Sequence, residues 1–401
     1  MDSARVDRPY DLTLFGASGF AGGLTGSYLA GAAPAGLRLA LAGRDRGRLE
    51  ALADRLAGEG AGMPRPGVLV ADAADGAALR AMADASRVVI DTVGPYALRG
   101  ERLIAACVAA GTDYVDITGE EEFVDRVWLD HHAEARRRGV RLVHCGGFHS
   151  VPHDLGAWFT VRRLPEGVPL RVEGYVSMRL RLSGGSYRSA IHGLARSRQR
   201  LAVAAARRER EPRPAGREVR TAPGRIHRSD RLGGWVAPLP SISGTVVRRS
   251  AAALDRYGPC FSFGYNVVLR RLVEVGALAA AVGAARVMSH VGPTRRLLLG
   301  AKAPGRGPDA AARGRGWFRI VFVGEGGGER VVTETHGGDP GYTETAKMLG
   351  EAGLCLAFDE LPPRFGQLTP TVAMGDALIA RLERRGIPFH HLTDSPGSAV
   401  G

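Results

Sequence analysis

Gly16, Gly19 and Gly22 recur at every third position directly after a short apolar run, residues 12–15. Glycines spaced this way let a backbone turn tightly and approach a pyrophosphate. A helix opening behind them offers its unpaired N–H donors to the phosphate charge. The stretch Gly16-Ala17-Ser18-Gly19-Phe20-Ala21-Gly22 is a variant of the dinucleotide fingerprint. In a chain with 56 glycines the spacing alone carries little. Its context carries more: a buried strand before it and a helix-like stretch, residues 24–32, after it. A second strand, residues 37–41, runs into Ala42-Gly43-Arg44. NAD-preferring sites hold an acid there for the ribose 2′-hydroxyl. An acid would repel a 2′-phosphate, whereas the Arg44 guanidinium can pair with it, so the expected coenzyme is NADP(H). Asp45 reads as the N-cap of a helix over 46–56. Asp72, after a strand at 68–71, is a candidate neighbour of the adenine. Thr92, Val93, Gly94 and Pro95 end the strand 87–93 and complete the expected cradle.

A hydride-transfer enzyme also needs a proton donor, and the sequence offers three candidates. His149 follows the sixth strand (140–145) and titrates near neutrality. Tyr187 and Tyr96 stand behind it. Each has a structural alternative: His149 as a satisfied core histidine, and residues 183–187 as a plain hairpin turn or linker. The Tyr-x-x-x-Lys pair of short-chain dehydrogenases is absent, because the lysines are Lys302 and Lys347 and the residues four before them are Leu298 and Thr343. Ser150, His153 and Asp154 lie too close together for a hydrolase triad. The pairs His131/His132 and His390/His391 lack partners at metal spacing, so they read as solvated surface and no metal is expected.

Apolar strands and helical stretches alternate to about residue 150. Strands at 12–15, 37–41, 68–71, 87–93, 114–117 and 140–145, with helices at 101–110 and 123–138, describe an α/β Rossmann domain, a doubly wound parallel sheet. The residues singled out fall at carboxyl strand ends, where such sheets bind ligands. The expected division is a nucleotide-binding domain over 1–155, an α+β substrate domain with a mixed sheet over 156–336, and a C-terminal helical segment over 337–401 that packs back. Within the second part, a helix starts near Pro152 and runs to 161, residues 170–182 alternate as a strand, and 316–322 and 329–335 form a hairpin through the glycine-rich turn 324–328. Thr343 can cap a helix over 343–357, and another spans 372–385.

The net charge is +13, with only two lysines. No zinc-finger or RRM signature accompanies it, so nucleic acid is not an expected partner. Residues 196–231 concentrate twelve arginines against four acids. They read as a solvated insertion or mobile loop, or else as a docking surface for an acidic partner or anionic lipid. Residues 275–285 are uncharged and mostly small, too short a run to span a bilayer. A buried helix is expected there, with surface membrane contact as the other reading. The four cysteines show no CxxC spacing. Residues 1–9 lack the apolar core of a secretion signal, so a cytoplasmic location is expected, with membrane association left open.

Several segments together resemble the saccharopine dehydrogenase-like oxidoreductases, and most closely the trans-acting enoyl reductase branch. They are FGASGFAGG, LALAGR, VVIDTVGPYALRGERLIAACVAAGTDYVDITGE, GGFHSVPHDLGAW, RGWFRI, GGDPGYTETAKMLGEAGLCLAFDE and QLTPTVAMGDALIARL. They are spread between about residue 12 and residue 386. The resemblance implies an NADPH-linked reductase acting on an acyl substrate of polyketide or lipid assembly, free or carrier-protein bound. One departure is Gly147-Phe148-His149-Ser150, where the family usually reads GFDS: a carboxylate is replaced by an imidazole. Reduction of a C=N bond, as the wider family name suggests, and a non-catalytic NADPH sensor are the alternatives. A homodimer and a peripheral membrane contact stay open.

Overall fold

The computed structural model describes residues 8–32, 34–59, 63–181, 183–300 and 307–392. Leu182, Lys302 and most of the polar stretch at 1–9 lie outside them. Six strands come first: β1 (Tyr10–Phe15), β2 (Leu39–Gly43), β3 (Gly67–Val70), β4 (Ser86–Asp91), β5 (Asp113–Asp116) and β6 (Arg141–Val143). Then follow β7 (Leu170–Arg179), β8 (Glu218–Thr221), β9 (His227–Ser229), β10 (Gly234–Pro238), β11 (Cys260–Leu269), β12 (Trp317–Gly326) and β13 (Glu329–Gly337). The last two are β14 (Gly366–Leu368) and β15 (Phe389–Leu392).

The chain divides into two units. The first holds Met1–Gly147 and Thr345–Leu368, the second Phe148–Glu344 and Thr369–Gly401. The segment 337–401 is therefore shared between them. The first unit is built on a seven-stranded parallel sheet in the order β14-β6-β5-β4-β1-β2-β3. Its strands are near-continuous apolar runs because both faces are covered. One face takes the helix Thr343–Phe358, whose Gly353 leaves no room for a side chain: a Cβ there would stand 2.4 Å from Ile90. Seven strands form where six were expected, the seventh arriving from β14.

The second unit carries a mixed sheet, β15-β13-β12-β7-β11-β10-β9, with β8 also on β11. The helix Val151–Val161 packs closely on it. A Cβ at Gly156 would meet the Phe322 ring at 2.2 Å, and the Thr160 and Thr333 hydroxyls are 2.6 Å apart.

Several local expectations are corrected. Residues 183–187 are not a hairpin. Gly184–Ala195 is a helix that buries Ile191, and Tyr187 N–H donates to the Ser183 carbonyl at 3.0 Å. The insertion 196–231 is not a loop either, since it forms the helix Ser197–Arg210 and the strands β8 and β9. Arg217 fastens it by donating to the carbonyls of Ala251, Leu254 and Gly258. The stretch 275–285 lies in the helix Leu272–His290, but only Val275 and Ser289 of that helix are buried. The helix expected over 372–385 breaks into Pro370–Ala373 and Gly375–Arg384, with Gly375 in the left-handed region at φ +44°. Asp339, not Thr343, caps Thr343–Phe358, taking the Tyr342 and Thr343 N–H groups at 3.1 Å. His132 is not free surface: its Nδ1 accepts from Gln367 N–H at 3.1 Å and its ring stacks on Trp128.

Candidate functional site

The glycine turn is shaped for a close approach. Gly16 leaves β1 with φ +81°, which favours glycine, and its N–H donates to the Ala42 carbonyl at 2.9 Å. A Cβ on Gly22 would stand 2.2 Å from the Gly16 carbonyl oxygen. The helix Phe20–Ala32 therefore starts tight against the end of β1, while Ser18 and Gly19 stay exposed at its amino end. Ala17 is buried beneath. β1 sits where the strand order reverses, with β2 on one side and β4 on the other. That is the switch point at which such sheets hold nucleotides.

The neighbouring strand ends converge there. Arg44 follows β2, and its Nε lies 3.8 Å from Asp72 Oδ2 beyond β3. Asp45 caps the next helix through Arg48 N–H at 3.0 Å. Thr92 leaves β4, its N–H and hydroxyl donating to the Phe15 carbonyl at 3.0 and 2.8 Å. Thr92, Val93 and Pro95 are half-buried, and Gly94 is exposed.

Beneath this loop lies a buried polar network that sequence reasoning missed. Asp91 and Asp116 face each other in the β4–β5 register. The Tyr114 hydroxyl is 3.0 Å from a carboxylate oxygen of each. Asp116 is held as an acceptor by Thr118 and Cys145 N–H groups and stands 2.7 Å from His144 Nδ1. Asp91 accepts from Val93 N–H at 2.8 Å. Burial pushes its pKa up to about 8, and the Asp116 charge adds to the shift, so Asp91 is mostly protonated at neutral pH. The network fixes the turn at 92–93. The polar residues ending VVID and YVD were its only sequence signal.

Tyr96 belongs to this core and not to a reaction site. Its hydroxyl donates to the Asp91 carbonyl at 3.0 Å, its ring packs on Phe123, and burial holds its pKa well above the ordinary value. It is withdrawn as a proton donor. Tyr187 is half-buried on the helix Gly184–Ala195. His149, in the second unit, keeps an exposed imidazole, while the protein crowded around it disfavours the cation and lowers its pKa. Its carbonyl accepts from the Ser243 hydroxyl. One turn on, His153 is buried, and its Nε2 is 2.6 Å from the Tyr265 hydroxyl on β11. Desolvation, with the neighbouring His149 adding to it, brings the His153 pKa down to about 3. Burial pushes the Tyr265 hydroxyl up. Tyr265 is thus a half-buried phenol, fully protonated, held by a neutral imidazole 112 residues away in sequence. Spacing gave no hint of the pair. Among the described residues no group of His, Cys, Asp or Glu could hold a metal.

Comparisons with known proteins agree with this geometry. Residues 12–143 match the saccharopine dehydrogenase NADP binding domain. A Mycobacterium ulcerans protein named trans-acting enoyl reductase is 34% identical over 96% of this chain and 98% of its own. A Mycobacterium tuberculosis relative, given the same name provisionally, is 36% identical over 95% and 97%. The chain belongs to the trans-acting enoyl reductase family. Its fold is that of apo saccharopine dehydrogenase (L-Glu forming) from Saccharomyces cerevisiae, with TM-score 0.53, 13% identity, and 96% and 100% of the two chains covered.

The matched NADP binding domain makes NADP(H) the coenzyme, and family membership makes the chain an oxidoreductase. The residues fit that coenzyme. The cradle at Gly16–Gly22 is one that a single Cβ would fill, and a cation, not an acid, follows β2. Gly16, Ala17, Ser18, Gly19, Phe20 and Gly22 would hold the pyrophosphate, and Arg44 the 2′-phosphate.

Proposed function

We propose that this NADPH-dependent reductase saturates the C=C bond of an enoyl thioester, supplied in trans by polyketide or lipid assembly. The observation that carries this is the near-full-length similarity to relatives named for that activity. When bound, NADPH would supply a hydride for the β-carbon of the C=C bond, and the protein's part is to deliver a proton to the α-carbon. Among the phenols and imidazoles described in the second unit, Tyr265 is the one this reading assigns as the donor. The 2.6 Å hydrogen bond between the hydroxyl and His153 Nε2 orients the phenol. The low pKa of His153 keeps it from acting as the acid itself. Solvent restores the Tyr265 proton, since the phenol is only half-buried.

The test is NADPH oxidation against a panel of enoyl thioesters, free and carrier-bound, with the saturated product identified by mass. Turnover of an imine in place of every enoyl substrate, or tight NADPH binding with no turnover of any acceptor, would overturn the reading.

A further inference from the structure

The helix Leu272–His290 is long and apolar enough to cross a membrane, yet it is almost wholly exposed. All nine residues at 276–284 are uncharged and exposed. At 3.6 residues per turn they cover every side of the helix. The helix touches Gly184–Ala195 and Gly292–Gly300, yet those neighbours leave the whole of this run exposed, and so broad an apolar surface calls for apolar surroundings. Val273, Val282 and Val287 are 70, 53 and 69% exposed, and Leu297 on the next helix, Gly292–Gly300, is 71% exposed.

The topology rules out a single crossing. β11 runs into this segment and β12 follows it, and both strands pair with β7, so the chain enters and returns on one side. Among the described residues no other helix is long and apolar enough to bring it back across.

The charges point to the sign of the surface. Glu274 is the sole acid in residues 272–300. Arg198, Arg286, Arg295 and Arg296 are exposed at the other end of the helix and make no ion pair among the described residues. There Leu201, Val287 and Val291 line a shallow apolar groove bordered by Arg198 and Arg286.

We propose that the helices Leu272–His290 and Gly292–Gly300 dip into one leaflet of an anionic lipid membrane. Their apolar side chains enter the acyl region, and Arg286, Arg295 and Arg296 reach the headgroup phosphates.

The experiment is flotation of the full chain with vesicles of phosphatidylcholine containing about one third phosphatidylglycerol. The chain is expected to float with them, to partition roughly tenfold less onto pure phosphatidylcholine, and to be released by high salt. Val282→Glu, and separately Arg295→Glu with Arg296→Glu, should each lower partitioning roughly tenfold or more. NADPH affinity should be unchanged in both variants, which shows that they fold. Failure of the wild type to float with anionic vesicles would overturn the proposal. So would a stable dimer that Val282→Glu splits while flotation is unaltered, since a second copy would then cover the helix.

Discussion

Arg44 Nε approaches Asp72 Oδ2 to 3.8 Å without closing on it, and the two side chains are 71 and 46% exposed. That is too long for a hydrogen bond, and water screens so exposed a pair. The guanidinium fork therefore remains able to grip a phosphate. Arg44→Ala is expected to weaken NADPH binding by about 10- to 100-fold while NADH changes by less than about twofold. Asp72→Asn, which removes a competing anion, should tighten NADPH a few-fold. Titration of the bound nicotinamide fluorescence reads both. An equal loss of the two coenzymes in Arg44→Ala would mean that the 2′-phosphate lies elsewhere.

The glycine turn gives a steric prediction with an internal control. A Cβ on Gly22 meets only backbone, the Gly16 oxygen at 2.2 Å and Ala17 Cα at 2.9 Å. Relief would require the end of β1 and the helix to part, so Gly22→Ala should cost about 1–3 kcal/mol of stability and abolish NADPH binding. Gly23→Ala places its Cβ at 3.8 Å from the nearest atom, the Ala17 oxygen. It should leave the melting temperature and the coenzyme affinity unchanged.

The contrast between those positions shows what a sequence makes legible. Parallel strands covered on both faces must be apolar runs, and their carboxyl ends must carry the turn residues. Hence Gly16, Arg44 and Thr92 could be placed from spacing, and the helix Glu101–Ala110 ends where Gly111 takes φ +72°. The Asp91–Tyr114–Asp116 network was not legible, because it exists only once the β4–β5 register sets Asp91 opposite Asp116. β8 and β9 were missed because they are short and largely exposed, with arginines where an apolar alternation would have marked them. For Leu272–His290, composition shows that the helix shuns water but not what covers it.

Buried Asp91 should tilt stability with pH. Its pKa rises from an ordinary carboxylate value to about 8 on folding. The folded state therefore holds more protons between about pH 4 and 8, and stability falls as pH rises through that window. Asp91→Asn removes this slope. The stability of the wild type relative to the variant should grow as pH drops from 8 to 5, on the order of 1 kcal/mol per pH unit. His153 tilts the other way. Its folded pKa is about 3, so the unfolded chain takes up the extra proton below about pH 6.5 and stability falls on acidification. Denaturant titrations of the wild type and Asp91→Asn across this range check both signs.

Tyr265 and His149 compete as the source of the proton, and their surroundings separate them. His149 is exposed, and the protein around it disfavours its cation and lowers its pKa. Tyr265 is kept protonated by burial and held at 2.6 Å by His153. Tyr265→Phe preserves the ring against His153 and removes only the hydroxyl. It should lower kcat by about 100-fold or more with NADPH affinity intact. Its residual activity should rise as pH falls, because solvent protons then replace the lost donor. His153→Phe leaves the hydroxyl but frees its orientation, so a smaller kcat loss with little change in KM is expected. His149→Ala should retain most of the turnover. If His149→Ala is the inactive variant and Tyr265→Phe the active one, the His149 imidazole is the acid, and the Tyr265–His153 pair only supports the sheet.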